Sequence, residues 1–236
     1  LFRQEFMTDF TAVSLDDIMI PADLVAEASG KHLDPRDYRL SPKIIGVDVA
    51  RFGRDSSVIC KRQGQFVDEL IVLDDVDNMS LASRVAYEAT NWEADAIMID
   101  SGRGEGVIDR LRQLGHAVSE VKFGGKPTNP RFANKRTEMW HGIREALEGG
   151  MAIPPDAELR AELSSPLYTF DSQGRMIMES KERMRREALE GRRAVRSPDR
   201  ADALACTFAF PVAPKLTPAD ERLQPRRVEV EYDPFA

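Results

Sequence analysis
The stretch IIGVDVARFGRDSSVIC, from Ile44 to Cys60, constrains this chain more than any other. Ile44, Ile45 and Val47 form an apolar run that reads as a buried strand, with Asp48 at its end. A turn through Gly53 follows, then a second β-branched run at Ser57-Val58-Ile59. An acid at the mouth of an apolar strand is costly unless hydrogen bonds or a cation compensate it. Taken alone, Asp48 also suits a plain turn between two hairpin strands, so its meaning depends on the rest of the chain.

The 236 residues, 42% hydrophobic, are enough for one globular domain with flanking segments. No apolar run approaches the roughly 18 residues of a membrane span. The N-terminus LFRQEFMTDF has no secretion-signal pattern and no initiator Met, which reads as a fragment of a longer chain. Cys60 and Cys206 both sit among apolar neighbours and read as buried thiols of a cytosolic protein. His32, His116 and His141 have no ligand spacing, which argues against zinc and against histidine-centred chemistry. A net charge of −7 argues against simple nonspecific coating of nucleic acid, yet it is compatible with an acidic metal-binding cleft.

Residues 1–42 read as a connecting segment with a short helix over Ile20–Ala28, Pro21 as its first residue and Gly30 as its stop. Ser57–Lys61 and Gln65–Leu73 then add two strands, giving three successive antiparallel strands. Leu81, Val85 and Ala89 predict a helix over Ser80–Trp92. The apolar run Ala96-Ile97-Met98-Ile99 predicts a central parallel strand ending in Asp100, followed by a turn through Gly102-Arg103-Gly104 and a helix over Val107–Leu114. Ala117–Lys122 reads as a strand, Asn134–Gly149 as an amphipathic helix with Trp140 in a packing role, and Leu159–Leu163 as a short helix. Tyr168–Glu179 reads as a hairpin, Ser180–Arg200 is rich in Lys and Arg, and Asp199–Phe208 forms a last helix capped by Ser197-Pro198. Beyond Pro211 the proline-rich tail lacks periodicity and reads as flexible. The fold class is thus α/β, a mixed sheet of three antiparallel strands and then parallel ones, flanked by helices.

Two phosphate-loop readings fail on spacing. Gly102–Gly106 lacks the G-x-G-x-x-G pattern, and Gly124-Gly125-Lys126-Pro127-Thr128 lacks both the first glycine and the hydroxyl residue of a P-loop. A PD…(D/E)-x-K nuclease pattern is matched literally by Asp156, Glu179 and Lys181, although Asp156 sits in a loop before a helix rather than on a strand. The remaining constellation is Asp48, Asp100 and the pair Asp199/Asp202. The pair lies three apart on one helix face. If the two acid-ended strands are adjacent and parallel, their carboxylates lie within about 5 Å of one another. Such a cluster needs cations, and oxygen-only ligands select Mg²⁺ or Mn²⁺.

The order of elements and the stretches GVDVARFGRDSSV (46–58), IMIDSGRGEGVIDRL (97–111), NKRTEMW (134–140) and ESKERMRREALEGRRAVRSPDRADALACTF (179–208) resemble the nuclease domain of a tailed-bacteriophage terminase large subunit, of the ribonuclease H-like superfamily. The resemblance runs from Ile20 to Phe210. It implies a nuclease domain over 43–210, a connector over 1–42 from an N-terminal ATPase domain, and a tail over 211–236. The implied activity is endonucleolytic cutting of concatemeric viral DNA during packaging, by two-metal in-line hydrolysis with Mg²⁺ or Mn²⁺. Asp48 and Asp100 match the first two catalytic acids. The third falls on Asp202, with Asp199 the next choice; Asp55 is a candidate auxiliary ligand and Lys181 a candidate contact to the scissile phosphate. Arg183, Arg185, Arg186, Arg192, Arg193 and Arg196 are the implied DNA contacts, unless that stretch is a solvated helix paired with Glu182, Glu187 and Glu190. Implied partners are double-stranded DNA, the portal protein, the small terminase subunit and the ATPase domain. The assembled motor is oligomeric, the fragment monomeric, and the setting is the host-cell cytoplasm at the procapsid portal, with no membrane. The rival classes are an actin-like ATPase, for which the chain is too short, and a non-catalytic docking module of the same motor.

Overall fold
The computed structural model describes residues 17–50, 56–191 and 197–214. Helices α1 (Ala22–Ala28) and α2 (Pro35–Tyr38) lead into β1 (Lys43–Asp48), β2 (Ser57–Gln63), β3 (Phe66–Val67) and β4 (Ile71–Leu73). Then follow α3 (Asn78–Asn91), β5 (Ala96–Asp100), α4 (Ser101–Gln113), β6 (Val118–Val121), α5 (Lys135–Glu148) and α6 (Ala157–Leu163). A hairpin of β7 (Tyr168–Phe170) and β8 (Met176–Met178) precedes α7 (Lys181–Leu189) and α8 (Asp199–Cys206).

The main sheet runs β3-β2-β1-β5-β6, with β4 also on β2. The β1–β2 pair is antiparallel, while β1–β5 and β5–β6 are parallel. This is the mixed sheet expected from the sequence. The expected third strand is broken in two. β2 pairs with β3 through Arg62↔Val67 and with β4 through Ile59↔Ile71, so Cys60 and Lys61 face Asp68, Glu69 and Leu70. One extra residue on one side is a β-bulge, which bends that edge of the sheet.

Alternation along the strands sorts side chains onto two faces. Ile45, Val47, Ile59, Ile97 and Ile99 pack against Leu81 and Val85 of α3 and Val107, Ile108 and Leu111 of α4. Ile44, Val58, Cys60 and Met98 face the other way, toward α1, α5, α6 and α8. By the same parity Gly46, Asp48, Arg62 and Asp100 belong to the α8 side.

Residues 17–42, expected as a connecting segment, pack on the domain. Met19, Ile20, Val25 and Ala28 are buried in the α8-side core, and Ser29 bridges to Ile153. The apolar spacing of this segment supplies a face that the domain buries. The proline-rich tail from 215 on, with the flexibility expected of it, lies outside the described residues.

Candidate active site
Asp48 and Asp100 stand side by side at the carboxyl ends of two parallel neighbours. The register pairs Val47 with Ile99, and the next residue on each strand is the acid. Asp100 also serves as the N-cap of α4, its side chain accepting from Gly102 N at 3.1 Å. The helix therefore starts at Ser101, six residues before the expected Val107, and the supposed turn Gly102-Arg103-Gly104 is its first turn. A Cβ on Gly104 would lie 2.8 Å from Ile99 Cγ2, so the glycine lets this turn settle on the strand ends, and the contact offsets its poor helix propensity.

Helix α8 is brought against the sheet by Gly46, two residues before Asp48. A Cβ there would lie 2.1 Å from Ala203 O and 2.8 Å from Thr207 Cγ2. Both ends of α8 are tied down. Glu162 accepts from Ala201 N at 2.9 Å, and Arg62 donates to Thr207 O at 2.7 Å while lying 4.1 Å from the Phe208 ring centroid. The N-cap position is Pro198, which makes no side-chain cap; Ser197 instead donates to Asp199 Oδ1. The expected Ser197-Pro198 cap is thus only positional.

The first turn of α8 gives its two acids different surroundings. Asp202 is fully buried: Oδ1 accepts from Trp140 Nε1 at 2.7 Å and from Arg136 Nε at 3.3 Å, and Oδ2 lies 2.8 Å from Lys181 Nζ. That ion pair is short but poorly directed as a hydrogen bond. Asp199 lines a cleft of about 320 Å³ together with Asp48, Asp100, Arg103, Phe123, Gly124, Arg136, Lys181 and Arg185. Lys181, the first residue of α7, spans the centre, with Nζ 3.4 Å from Asp48 Oδ1.

Burial pushes the Asp48 carboxyl up to about 8; Lys181 opposes this, and Asp202, Asp199 and Asp100 add to it. Burial also raises Asp100, with the Gly102 amide and Lys181 working against the rise. Burial would raise Asp202 as well, but Arg136, Lys181 and the Trp140 hydrogen bond hold it below the usual carboxylate range. Burial disfavours the Lys181 ammonium, yet Asp202 and Asp48 keep its pKa above the ordinary lysine value. Acids thus outnumber the ammonium between them, and their donors are all oxygen, the set a hard divalent cation takes. As the side chains stand, no three acidic, histidine or cysteine groups among the described residues converge closely enough to hold an ion. Lys181 fills the space between Asp48 and Asp202, so a cation held by both has to displace that ammonium.

The other sequence candidates separate. Arg185 lines the cleft and Arg186 is exposed, whereas Arg183 is turned into ion pairs with Glu187 at 2.9 Å and Glu179 at 3.7 Å. Asp55, Arg192, Arg193 and Arg196 lie outside the described residues. Asp156 is the N-cap of α6, accepting from Glu158 N and Leu159 N, and is ion-paired with Arg200. It lines a separate depression with Pro154 and Pro155, so Asp156, Glu179 and Lys181 do not share one site.

Two participants went unread in the sequence. Arg136 falls in phase with Met139, Trp140, Ile143 and Leu147 on the buried stripe of α5, and its Nη1 donates to Glu179 O at 2.9 Å. Glu162 falls in phase with Leu159 and Leu163 on α6, and burial pushes its carboxyl up to about 8. A charged residue at a core-phased helix position was the available signal in both. Trp140 is packed as expected, but it also fixes Asp202.

This sheet with its flanking helices is a ribonuclease H-like fold. No family model matches the sequence, and no curated protein matches it. Among solved structures, the nuclease domain of the large terminase subunit gp2 of bacterial virus Sf6 is similar with a TM-score of 0.66 at 18% identity, covering 82% of this chain and 99% of that one. A lysine-to-alanine variant of that domain with manganese gives 0.65 at 17% identity over the same shares. The large terminase nuclease from thermophilic phage G20c with bound magnesium gives 0.53 at 16% identity, covering 71% and 80%. At these identities the likeness establishes the fold.

Proposed function
We propose that this chain is a phage DNA-packaging nuclease domain, an endodeoxyribonuclease cutting concatemeric DNA with Mg²⁺ or Mn²⁺ held by Asp48, Asp100 and Asp202. One observation carries the reading: two acids at adjacent parallel strand ends face a third acid on α8, with the Lys181 ammonium among them. The manganese and magnesium in the similar terminase nucleases support the choice of ion. Bound divalent cations, two in this reading, supply Lewis acidity that activates a water and offsets charge on the leaving oxygen.

The chain's own residues do the rest. Asp48 and Asp100 present their carboxylates from rigid strand ends, and Trp140 and Arg136 hold Asp202 in one orientation. Lys181, once released from Asp48 and Asp202, is placed to contact the scissile phosphate. Arg185 and Arg186 on α7 hold neighbouring phosphates without reading bases. Asp199 stands at the cleft wall as an alternative third ligand. The portal protein, the small terminase subunit and an N-terminal ATPase joined through residues 1–42 are the proposed partners, at the procapsid in the host-cell cytoplasm.

Incubation with supercoiled plasmid and Mn²⁺ or Mg²⁺ tests this. Nicking and linearisation are expected, lost by at least about 10²-fold in Asp48→Ala and retained in Asp156→Ala. Wild-type protein that binds the plasmid but leaves it intact sinks the nuclease reading in favour of a docking module.

A further inference from the structure
From the end of β6 into the first turn of α5, the segment KFGGKPTNPRFANKRT, Lys122–Thr137, contains five basic residues and no acid, in a chain of net charge −7. Two of the five are used internally: Lys135 pairs with Glu138 at 2.7 Å and Arg136 with Asp202. Lys122, Lys126 and Arg131 are exposed and have no carboxylate partner among the described residues. The loop bearing them belongs to the site, since Phe123 and Gly124 line the same cleft as Asp48 and Asp100, and Lys181 Nζ lies 5.4 Å from the Phe123 ring centroid.

The loop is fixed at both ends. Lys135 N donates to Gly125 O and Arg136 N to Phe123 O, each at 2.9 Å. The Glu138 carboxylate accepts from Asn129 N at 2.7 Å and Thr128 N at 3.1 Å. Farther on, Met176 N donates to Arg131 O and Ala133 N to Met176 O, clamping the loop to β8. The basic side chains therefore project from a preorganised backbone rather than a slack one.

Gly124 adds a second, independent observation. It is exposed, its φ lies outside the left-handed region, and a Cβ there would meet nothing within 4 Å. Gly124 is the third residue of a turn closed by Gly125 N to Lys122 O at 2.9 Å, but with this φ the turn does not require glycine, and neither does internal packing. The missing side chain leaves the backbone open to close approach by an external group. The group that matches the flanking charges and the adjacent cleft is a phosphodiester strand.

We propose that Lys122–Arg131 is a second DNA-contacting wall of the cleft, with the nucleic-acid backbone passing against Gly124 while Lys122, Lys126 and Arg131 neutralise its phosphates. This deepens the nuclease reading and rests on it. The wall reads charge and not sequence, so its removal weakens binding to every duplex alike.

The test measures binding of the whole chain to a fluorescent mixed-sequence duplex without divalent cations, across a salt series. A Lys122→Gln/Lys126→Gln/Arg131→Gln triple variant is expected to bind at least about tenfold more weakly. Its log–log salt slope falls by about 0.9 for each phosphate no longer neutralised. Gly124→Leu, whose Cβ has open space around it, is expected to keep the wild-type melting temperature yet also to bind at least about tenfold more weakly, because the side chain stands where the strand passes. Wild-type affinity and slope in both variants overturn the proposal while leaving the nuclease reading intact. Wild-type protein that fails to bind the duplex at all sinks both. Unchanged DNA binding by the triple variant, with abolished binding to polyglutamate, assigns the wall to an acidic protein partner and equally overturns it.

Discussion

The two faces of the central sheet are built from the same strands yet differ in kind. Toward α3 and α4 the contact is mostly aliphatic: Ile45, Val47, Ile97 and Ile99 meet Leu81, Val85, Ile108 and Leu111, and the buried charge there is Glu88 at the margin, paired with Lys61 at 3.4 Å and Arg84 at 2.8 Å. Toward α5, α6 and α8 an apolar core that adds Trp140 and several methionines surrounds Arg62, Arg136, Glu162, Glu179 and Asp202, buried or nearly so. The first face gains its stability mainly from apolar burial. The second spends part of the same gain on holding charges out of water, and each charge is fixed by named partners. The lesson is a division of labour: one face anchors the strands, and the other uses them to aim carboxylates. Arg62 shows the strain of this arrangement, since burial pushes its pKa down to about 10, and what secures it is the α8 C-terminus and Phe208 rather than an acid.

The contrast is most sharply tested by Arg136→Met. Removing the guanidinium leaves Asp202 buried beside one cation fewer, and a loss of about 3–5 kcal/mol is expected in chemical denaturation. A loss below about 1 kcal/mol would mean that the charged face is not internally balanced as drawn. On the aliphatic face, Leu111→Ala is expected to cost about 2–5 kcal/mol through its cavity. Residual activity should then track the folded fraction, whereas Arg136→Met should lose activity beyond that fraction because Asp202 is no longer oriented.

Gly46→Ala comes next. The added methyl meets the Ala203 carbonyl and must push α8 from the sheet, at about 1–3 kcal/mol or more. Cleavage should fall further than stability does, because α8 carries Asp199 and Asp202; equal losses would argue that α8 does not position the acids.

The smallest effect is a pH slope in melting temperature. Asp48 and Glu162 both have folded values near 8, above their ordinary values of 3.8 and 4.5. The folded state therefore binds more protons, and stability present near pH 4 declines as pH rises toward 8. Asp48→Asn should remove part of that decline and raise the melting temperature of metal-free protein at pH 8, by about 2–4 °C for each kcal/mol relieved. An unchanged slope in both Asp48→Asn and Glu162→Gln would contradict the assignment of buried, protonation-prone acids to this face.

The sequence by itself determined the strands and their acids. Ile44–Asp48 and Ala96–Asp100 were legible because an apolar run ending in a carboxylate carries both the strand and its exposed end. Alternation then sent Asp48 and Asp100 to one side. The start of α4 is not legible because Gly102 and Gly104 look like a turn in isolation, and it is the close approach of Gly104 to Ile99 and Val49 that suits them to a helix. The tertiary structure alone decided which acid on α8 is buried. Asp199 and Asp202 share a helix face, so spacing cannot separate them, and the difference comes from Trp140, Arg136 and Lys181 arriving from distant segments. It also decided that Lys181 lies between two of the acids, and that Asp156 belongs to another surface. Local pattern fixes which face a side chain takes; which charges meet across that face depends on how elements far apart in the chain pack, and Gly46 shows that one missing methyl can control that distance.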